Sequence, residues 1–139
     1  MTPDQLDALR ARLRIGVHSD VEVTDAEGTQ RPRVSQVFCS ALPVAYSGVP
    51  SVYWKPFASL VLEAAYEATL LAAILNKQRG MSIVVLLTRL GGGGGNEDDW
   101  IDAAIRRALT TTSSFELDVK LVSYREPMRK TRQLVQDFS

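Results

Sequence analysis

Three acidic residues stand close together near the start of the chain: Asp20, Glu22 and Asp25. The segment from Val21 to Thr24 alternates apolar and polar residues, which predicts a half-exposed β-strand. Asp20 and Glu22 would then project from the same face of that strand. Carboxylates held close together perturb each other's ionisation, as general acid–base chemistry requires, so all three are candidate catalytic residues. Spacing alone favours a simpler interpretation, a solvated strand face.

Five consecutive glycines form the second candidate site: Gly91, Gly92, Gly93, Gly94 and Gly95. They follow the apolar segment Ile83–Leu87, which predicts a strand buried on both faces. They precede Asn96, a residue type that often caps helices, and apolar residues then recur at helical spacing from Trp100 to Leu109. This order of strand, glycine loop and helix would place backbone N–H groups at the carboxyl end of a strand, where open α/β sheets commonly hold anions.

Two features oppose an immediate nucleotide-binding interpretation of the glycine loop. No Lys-Ser or Lys-Thr pair follows it, so the loop is not a P-loop. Glu97, Asp98 and Asp99 suit the start of a helix but would repel a phosphate placed there. Glycine content alone therefore leaves both a ligand-binding loop and a flexible connection open.

Length and charge limit the classes of function. The chain has 139 residues, which predicts a single domain over residues 1–139. Its 16 basic and 16 acidic residues cancel, so we expect neither nucleic acid nor a membrane as a partner. Cys39 is the only cysteine and His18 the only histidine, so we expect no disulfide, no metal and no cofactor. A reduced, cytoplasmic location follows from this cysteine usage.

The distribution of apolar residues predicts no targeting or membrane segment. The first residues, Met1–Arg14, are polar and charged, unlike a secretory signal. The apolar segment Phe57–Leu75 is interrupted by Glu63 and Glu67, so it indicates a buried helix of the core. The two glutamates either face solvent or line a cleft, and the sequence does not choose between these. The aromatic segment before this helix, Ala45–Lys55, could line a pocket, but packing on the core is favoured.

Periodicity predicts the element order α-β-β-α-β-α-β-α. The expected elements are a helix from Pro3, strands at Val17–Asp25 and Val34–Leu42, a helix from Pro56 to about Lys77, a strand at Ile83–Leu87, a helix after Asn96, a strand at Leu117–Tyr124 and a helix at Met128–Phe138. This alternation predicts an α/β fold with three layers, α/β/α, and a mostly parallel sheet. Ile83–Leu87 is expected to be its central, fully buried strand.

Several segments, in their order and spacing, resemble the C-terminal half of macrodomains. They are Gln36-Val-Phe-Cys-Ser-Ala-Leu-Pro-Val-Ala-Tyr46, the helical segment Phe57–Leu70, Val84-Val-Leu-Leu-Thr-Arg-Leu-Gly-Gly-Gly93, the residues Asn96, Trp100 and Ile101, and Leu117-Asp-Val-Lys-Leu-Val-Ser-Tyr124. The most similar branch is that of poly(ADP-ribose) glycohydrolase-like proteins and the MavL-type effector hydrolases. The resemblance covers about residues 15–125 and implies an incomplete macrodomain-like sheet.

In that family the glycine loop wraps the diphosphate and proximal ribose of ADP-ribose. The resemblance therefore implies that Gly91–Gly95 and Asn96 bind the ligand and that Tyr124 packs near the adenosine. Relatives carry an Ala-Phe pair in this loop, whereas the chain has only glycines before Asn96. The N-terminal half of the family fold, which supplies the first ligand loop and the catalytic glutamates, has no counterpart in these 139 residues.

Two functional hypotheses follow from the resemblance. The first is a module that binds ADP-ribose, a related nucleotide or an ADP-ribosylated protein, with hydrolysis of an ADP-ribosyl bond as a further activity in which Asp20, Glu22 or Asp25 would be the acid or base. The alternative is a non-catalytic interaction or self-associating module that has lost the catalytic half. Under either hypothesis, a second copy or a partner chain is expected to complete the sheet.

Overall fold

The computed structural model describes residues 1–139 and has the predicted order of helices and strands. The elements are α1 (Pro3–Arg10), β1 (Gly16–Glu22), β2 (Arg33–Phe38), α2 (Ser51–Gln78), β3 (Val84–Leu87), α3 (Asp98–Thr112), β4 (Asp118–Leu121) and α4 (Arg129–Asp137). Short 3-10 turns cover Val44–Tyr46, Gly92–Gly94 and Ser113–Phe115. The fold class is therefore mixed α/β, as predicted.

The helices begin and end where local chemistry allows. Thr2 caps α1 in a capping box with Gln5, and Pro3 stands at the first helical position, as predicted. Pro56 was predicted to lie near the start of the long helix; α2 begins five residues earlier, at Ser51, so Ser51–Lys55 is helical and not part of the preceding loop. The helix predicted after Asn96 is α3, which begins at Asp98 and ends at Thr112. Its cap is Glu97 rather than Asn96, and no side chain bonds to its first amides.

The core lies between α2 and α3. Leu62, Leu70, Ile101 and Ile105 are fully buried there, and Leu134 of α4 closes one side. α2 is long and apolar enough to cross a membrane by length and composition, a test that the core helix of a water-soluble domain also passes. Seven of its 28 residues are buried, and four of them, Ala58, Leu62, Tyr66 and Leu70, belong to this core.

The strands form two separate two-stranded sheets rather than one. β1 pairs with β2 in antiparallel orientation, and β3 pairs with β4 in parallel. The prediction that β3 is a central, fully buried strand is wrong. It lies at a sheet edge, where Val85 and Leu87 pack on the core while Val84 and Leu86 are exposed on the other face. A three-layer macrodomain arrangement is therefore not confirmed.

The two sheets are aligned by α2, although they do not pair with each other. Along α2, Asn76 contacts Ser35 near the start of β2, and Thr69 lies beside Cys39 just past its end. Tyr66, further toward the start of α2, bonds to Thr88 just past the end of β3. β2 and β3 therefore both run opposite to α2, in the same direction, and their carboxyl ends lie at one edge of the molecule.

Candidate functional site

The glycine loop lies at the carboxyl end of β3 and packs against the segment that follows β2. Gly91 and Gly95 adopt left-handed backbone conformations, with φ of +81° and +86°. A Cβ atom at Gly91 would collide with Ala41, and one at Gly95 would lie 2.6 Å from the Ala45 nitrogen. Glycine is thus required at both ends of the loop, by φ and by close approach.

The two glycines in the middle of the loop have a different environment. Gly92 and Gly93 are exposed and have no positive φ. A Cβ at Gly93 would meet nothing within 4 Å, and one at Gly92 would touch only Ile101 at 3.9 Å. As the first residues of a 3-10 turn, neither has an acceptor for its N–H within the turn. These two amides are therefore available to a ligand.

Asn96 holds the loop to the segment after β2. Its Nδ2 donates to the carbonyl oxygens of Leu42, at 2.8 Å, and Gly91, at 3.2 Å. The side chain is buried, and its Oδ1 has no hydrogen-bond partner. An unpaired buried acceptor is uncommon in folded proteins, and this one is closed off from solvent, so the role that the contacts assign to Asn96 is to hold the loop.

The acidic residues that follow the loop are each bound by a neighbouring side chain. Arg89 pairs with Asp98 at 2.8 Å and with the largely buried Asp102 at 2.5 Å. Lys130 bonds to Asp99 at 2.5 Å, and this hydrogen bond with the lysine charge lowers the pKa of Asp99. The repulsion of a phosphate expected from the sequence is consequently reduced by these cations.

Glu97, the remaining acid at the start of α3, accepts a hydrogen bond from Ser51 Oγ at 2.9 Å. This contact places the start of α2 against the start of α3. Lys55, one turn further along α2, contributes to the lowered pKa of Asp99 by its charge, after Lys130. The region beside the glycine loop therefore contains Lys55 and Lys130 as well as the acids that the sequence singled out.

Exposed aromatic side chains stand beside the loop. Tyr46 is 82% exposed and follows Ala45, the residue that contacts Gly95. Tyr124 is 97% exposed and lies three residues beyond the end of β4, at the same edge of the molecule. The prediction that the aromatic segment packs on the core is wrong for Tyr46 and also for Tyr53, which is 75% exposed. Only Trp54 packs there, and its Nε1 donates to Ser47 Oγ.

The three candidate catalytic carboxylates lie away from the glycine loop. β1 is antiparallel to β2, so Glu22 pairs with Arg33 at the beginning of β2. Six residues of β2 separate this point from the loop, a distance of about 20 Å. All three acids are exposed, and Asp20 and Glu22 form ion pairs with Arg33 and Arg31. The structure does not bring them together with the other candidate site residues.

The local backbone also differs from the regular strand expected for these acids. A register shift interrupts β1 between His18 and Val21, and Asp20 has a left-handed φ of +56°. Arg33 bonds both to the Asp20 carboxylate and to its backbone oxygen. These contacts fix an irregularity in an exposed strand. They agree with the interpretation of Asp20, Glu22 and Asp25 as part of a solvated strand face.

Sequence reasoning missed three features of the site. It did not assign roles to Tyr46, to Arg89 or to Lys130, because their positions depend on which loops meet at the sheet edge. The signal available for Arg89 was its place between an apolar strand and the acids of the next helix.

Comparison with protein-family models, with curated proteins and with solved structures finds no match for the chain. The resemblance to macrodomains therefore stays a prediction.

Proposed function

We propose that the chain binds ADP-ribose or a related nucleotide diphosphate, free or attached to a protein, at the carboxyl edge of its strands. The observation that supports this most directly is the pair of exposed, acceptor-free amides at Gly92 and Gly93. Diphosphate oxygens are strong acceptors, and glycine allows them to approach the backbone closely. Lys130 and Lys55 offset the charge of Asp99, which would otherwise repel the phosphates.

The remaining parts of such a ligand also have counterparts at this edge. An adenine ring can stack on an exposed aromatic side chain, and both Tyr46 and Tyr124 offer one. Asn96, buried behind the loop, supports it through the hydrogen bonds of its Nδ2 to the carbonyl oxygens of Leu42 and Gly91. Hydrolysis is not part of the proposal, because Asp20, Glu22 and Asp25 lie at the opposite end of β2.

Calorimetry with ADP-ribose and a double variant, Gly92→Val with Gly93→Val, tests the proposal. Neither position has a positive φ, and both have space for a side chain, so we expect the fold to be retained by circular dichroism. The valines would block the approach of the diphosphate. Because each hydrogen bond to a charged group contributes roughly 1.5–3 kcal/mol, losing two should weaken binding by about 100-fold or more.

Glu22→Gln is the control, since it changes a charge at the far end of β2 and should bind ADP-ribose as the parent does. A parent protein that shows no saturable binding at millimolar ADP-ribose would contradict the proposal. Equal binding by the parent and the folded double variant would remove the loop from the binding site.

A further inference from the structure

A groove of about 910 Å³ separates the two sheets. Its walls are the facing edges of β2 and β3, and its floor is the middle of α2. β2 is paired only with β1, and β3 only with β4, so the backbone groups on the two facing edges have no strand partner. Unpaired strand edges of this kind are templates for the addition of another strand.

The volume of the groove is close to that of one strand. With a rise of about 3.3 Å per residue, a spacing of about 4.8 Å between strands and about 10 Å between layers, a strand of six residues fills about 950 Å³. β2, the longer wall, has six residues. Because β2 and β3 run in the same direction, one inserted strand would meet both edges in a single orientation.

The floor and the rim of the groove suit alternating side chains. The floor contains the small residues Thr69, Ala72 and Ala73, which leave room for side chains pointing inward from a strand. Apolar residues of the walls, Phe38 and Leu86, are 59% and 65% exposed. Burying them requires an occupant with apolar side chains of its own.

The charges along the groove indicate which charge one end of the inserted strand should carry. Arg33 and Arg79 are the only charged residues of the lining, and no acid is present there. Both arginines stand at the amino end of β2 and β3. Arg33 is paired with Asp20, whereas Arg79 forms no ion pair. An acidic residue at this end of an inserted strand would complement Arg79.

We propose that the groove accepts one extended strand of a partner protein, which pairs with β2 and β3 and joins the two sheets into one sheet of five strands. The inserted strand has apolar residues facing α2 and an acidic residue beside Arg79. A second copy of the chain is a poor occupant, because each of its four strands is already paired within its own sheet. The proposal is independent of nucleotide binding at the glycine loop.

The experiment fuses a strand of about eight residues, alternating Val and Thr with an Asp pair at one end, to the carboxyl terminus. A Gly/Ser linker of about 30 residues spans about 30 Å on average and gives the strand a high effective concentration. Two versions carry the Asp pair at the amino or the carboxyl end, so both strand directions are tested. A matched control replaces alternate residues by Pro, which cannot complete a ladder of hydrogen bonds.

Cys39 lines the groove and is the only thiol of the chain, so its rate of maleimide labelling reports occupancy. In one of the two Val/Thr fusions we expect labelling to slow by about tenfold and amide exchange in β2 and β3 to slow with it. The Pro fusion should label like the unfused chain. Ala72→Phe, which fills the floor, should restore labelling, whereas Leu71→Phe, on a neighbouring residue outside the lining, should not.

Equal labelling in the Val/Thr and Pro fusions, with all chains folded by circular dichroism, would overturn the proposal. Sedimentation of the unfused chain tests whether a second copy of the chain occupies the groove instead. A dimer whose formation slows Cys39 labelling as the protein concentration rises would assign the groove to a second copy and would also overturn it.

Discussion

At the scale of single residues, Asn96, which the sequence predicted to bind a ligand, stabilises the glycine loop. Its Nδ2 joins the loops that follow β2 and β3 through two carbonyl oxygens. Its Oδ1 is buried and unpaired, so the contacts that Asn96 makes are those that hold the loop. Substitutions at Asn96 must therefore be judged by stability as well as by binding.

We predict that Asn96→Ala lowers the free energy of unfolding by about 0.5–1.5 kcal/mol, because the carbonyl oxygens of Leu42 and Gly91 each lose one of their donors. Asn96→Asp should cost more, since it places a carboxylate oxygen against the same two carbonyls. Urea denaturation of both variants measures this, with Gly93→Ala as the control that changes the same loop without a buried contact. An Asp variant as stable as the parent would contradict the assigned hydrogen bonds.

Tyr66 links α2 to the end of β3 and gives the protein a dependence on alkaline pH. Its hydroxyl donates to the Thr88 carbonyl oxygen and accepts from the Leu90 N–H, both at 2.8 Å. Burial, which outweighs the hydrogen bond from Leu90 and the charge of Arg89, raises the pKa of Tyr66 to about 12. The ordinary value, which applies to the unfolded chain, is about 10.

Because the folded-state pKa is the higher one, the neutral phenol stabilises the fold fully below pH 10, and this contribution is lost as the pH rises toward 12. We predict that Tyr66→Phe is less stable than the parent at pH 8 by about 1–3 kcal/mol, because Thr88 and Leu90 lose their partner. The difference should shrink between about pH 10 and 12, as measured by urea denaturation. A constant difference across this range would contradict the assignment.

At the scale of elements, α1 is held mainly by charge. It has no buried residue. Arg10 pairs with Glu63 of α2 at 2.6 Å, and Arg107 of α3 pairs with Asp7 at 2.9 Å and with Glu67. Glu63 and Glu67, whose roles the sequence left open, therefore attach α1 and α3 to α2. Each partly exposed ion pair contributes little to stability by itself, so α1 is positioned by the pairs of Arg10 and Asp7 acting together.

We predict that α1 detaches before the core unfolds when salt is raised. At about 1 M NaCl the screening length is about 3 Å, so amide exchange over Pro3–Arg10 should accelerate while α3 stays protected. Glu63→Gln should produce the same change at low salt. Lys120→Gln, which removes an ion pair within β4, should leave α1 exchange unchanged and serves as the control. Simultaneous amide exchange in α1 and α3 would show that ion pairs do not hold α1 on the core.

At the scale of the whole molecule, stability should be unevenly distributed. The hairpin of β1 and β2 contains no buried residue and contributes none to the core cluster, whereas α2 and α3 supply most of it. Two-stranded hairpins are marginally stable without further packing. We predict fast amide exchange throughout β1 and β2 and slow exchange around Leu62 and Ile101, measured by mass spectrometry. Equal protection in both regions would mean that the hairpin is held as firmly as the core.

Local patterns predicted the order of the elements, because helix and strand periodicity depend on neighbours in sequence. They could not predict the layers. The run Ile83–Leu87 is apolar at every position, yet only Val85 and Leu87 pack on the core. Whether the other face is covered depends on segments distant in sequence or on another chain. A two-layer arrangement and a three-layer one therefore give the same local signal.

The same limit applies to the candidate site. The position of the glycine loop after a strand was predictable, but which glycines need a left-handed φ depends on Ala41 and Ala45, fifty residues earlier in the chain. The separation of Asp20, Glu22 and Asp25 from the loop follows from the antiparallel pairing of β1 with β2. No spacing within the sequence carries that information.

The open groove also bears on how much of this protein a cell would retain. A chain whose hairpin opens readily spends more time in forms that proteases cleave. Binding of a strand to the folded form stabilises it by mass action, and more so as the partner becomes abundant. Free copies would then be degraded faster than bound ones. If the groove binds a partner strand as proposed, the quantity of this protein would accordingly be limited by the supply of that partner.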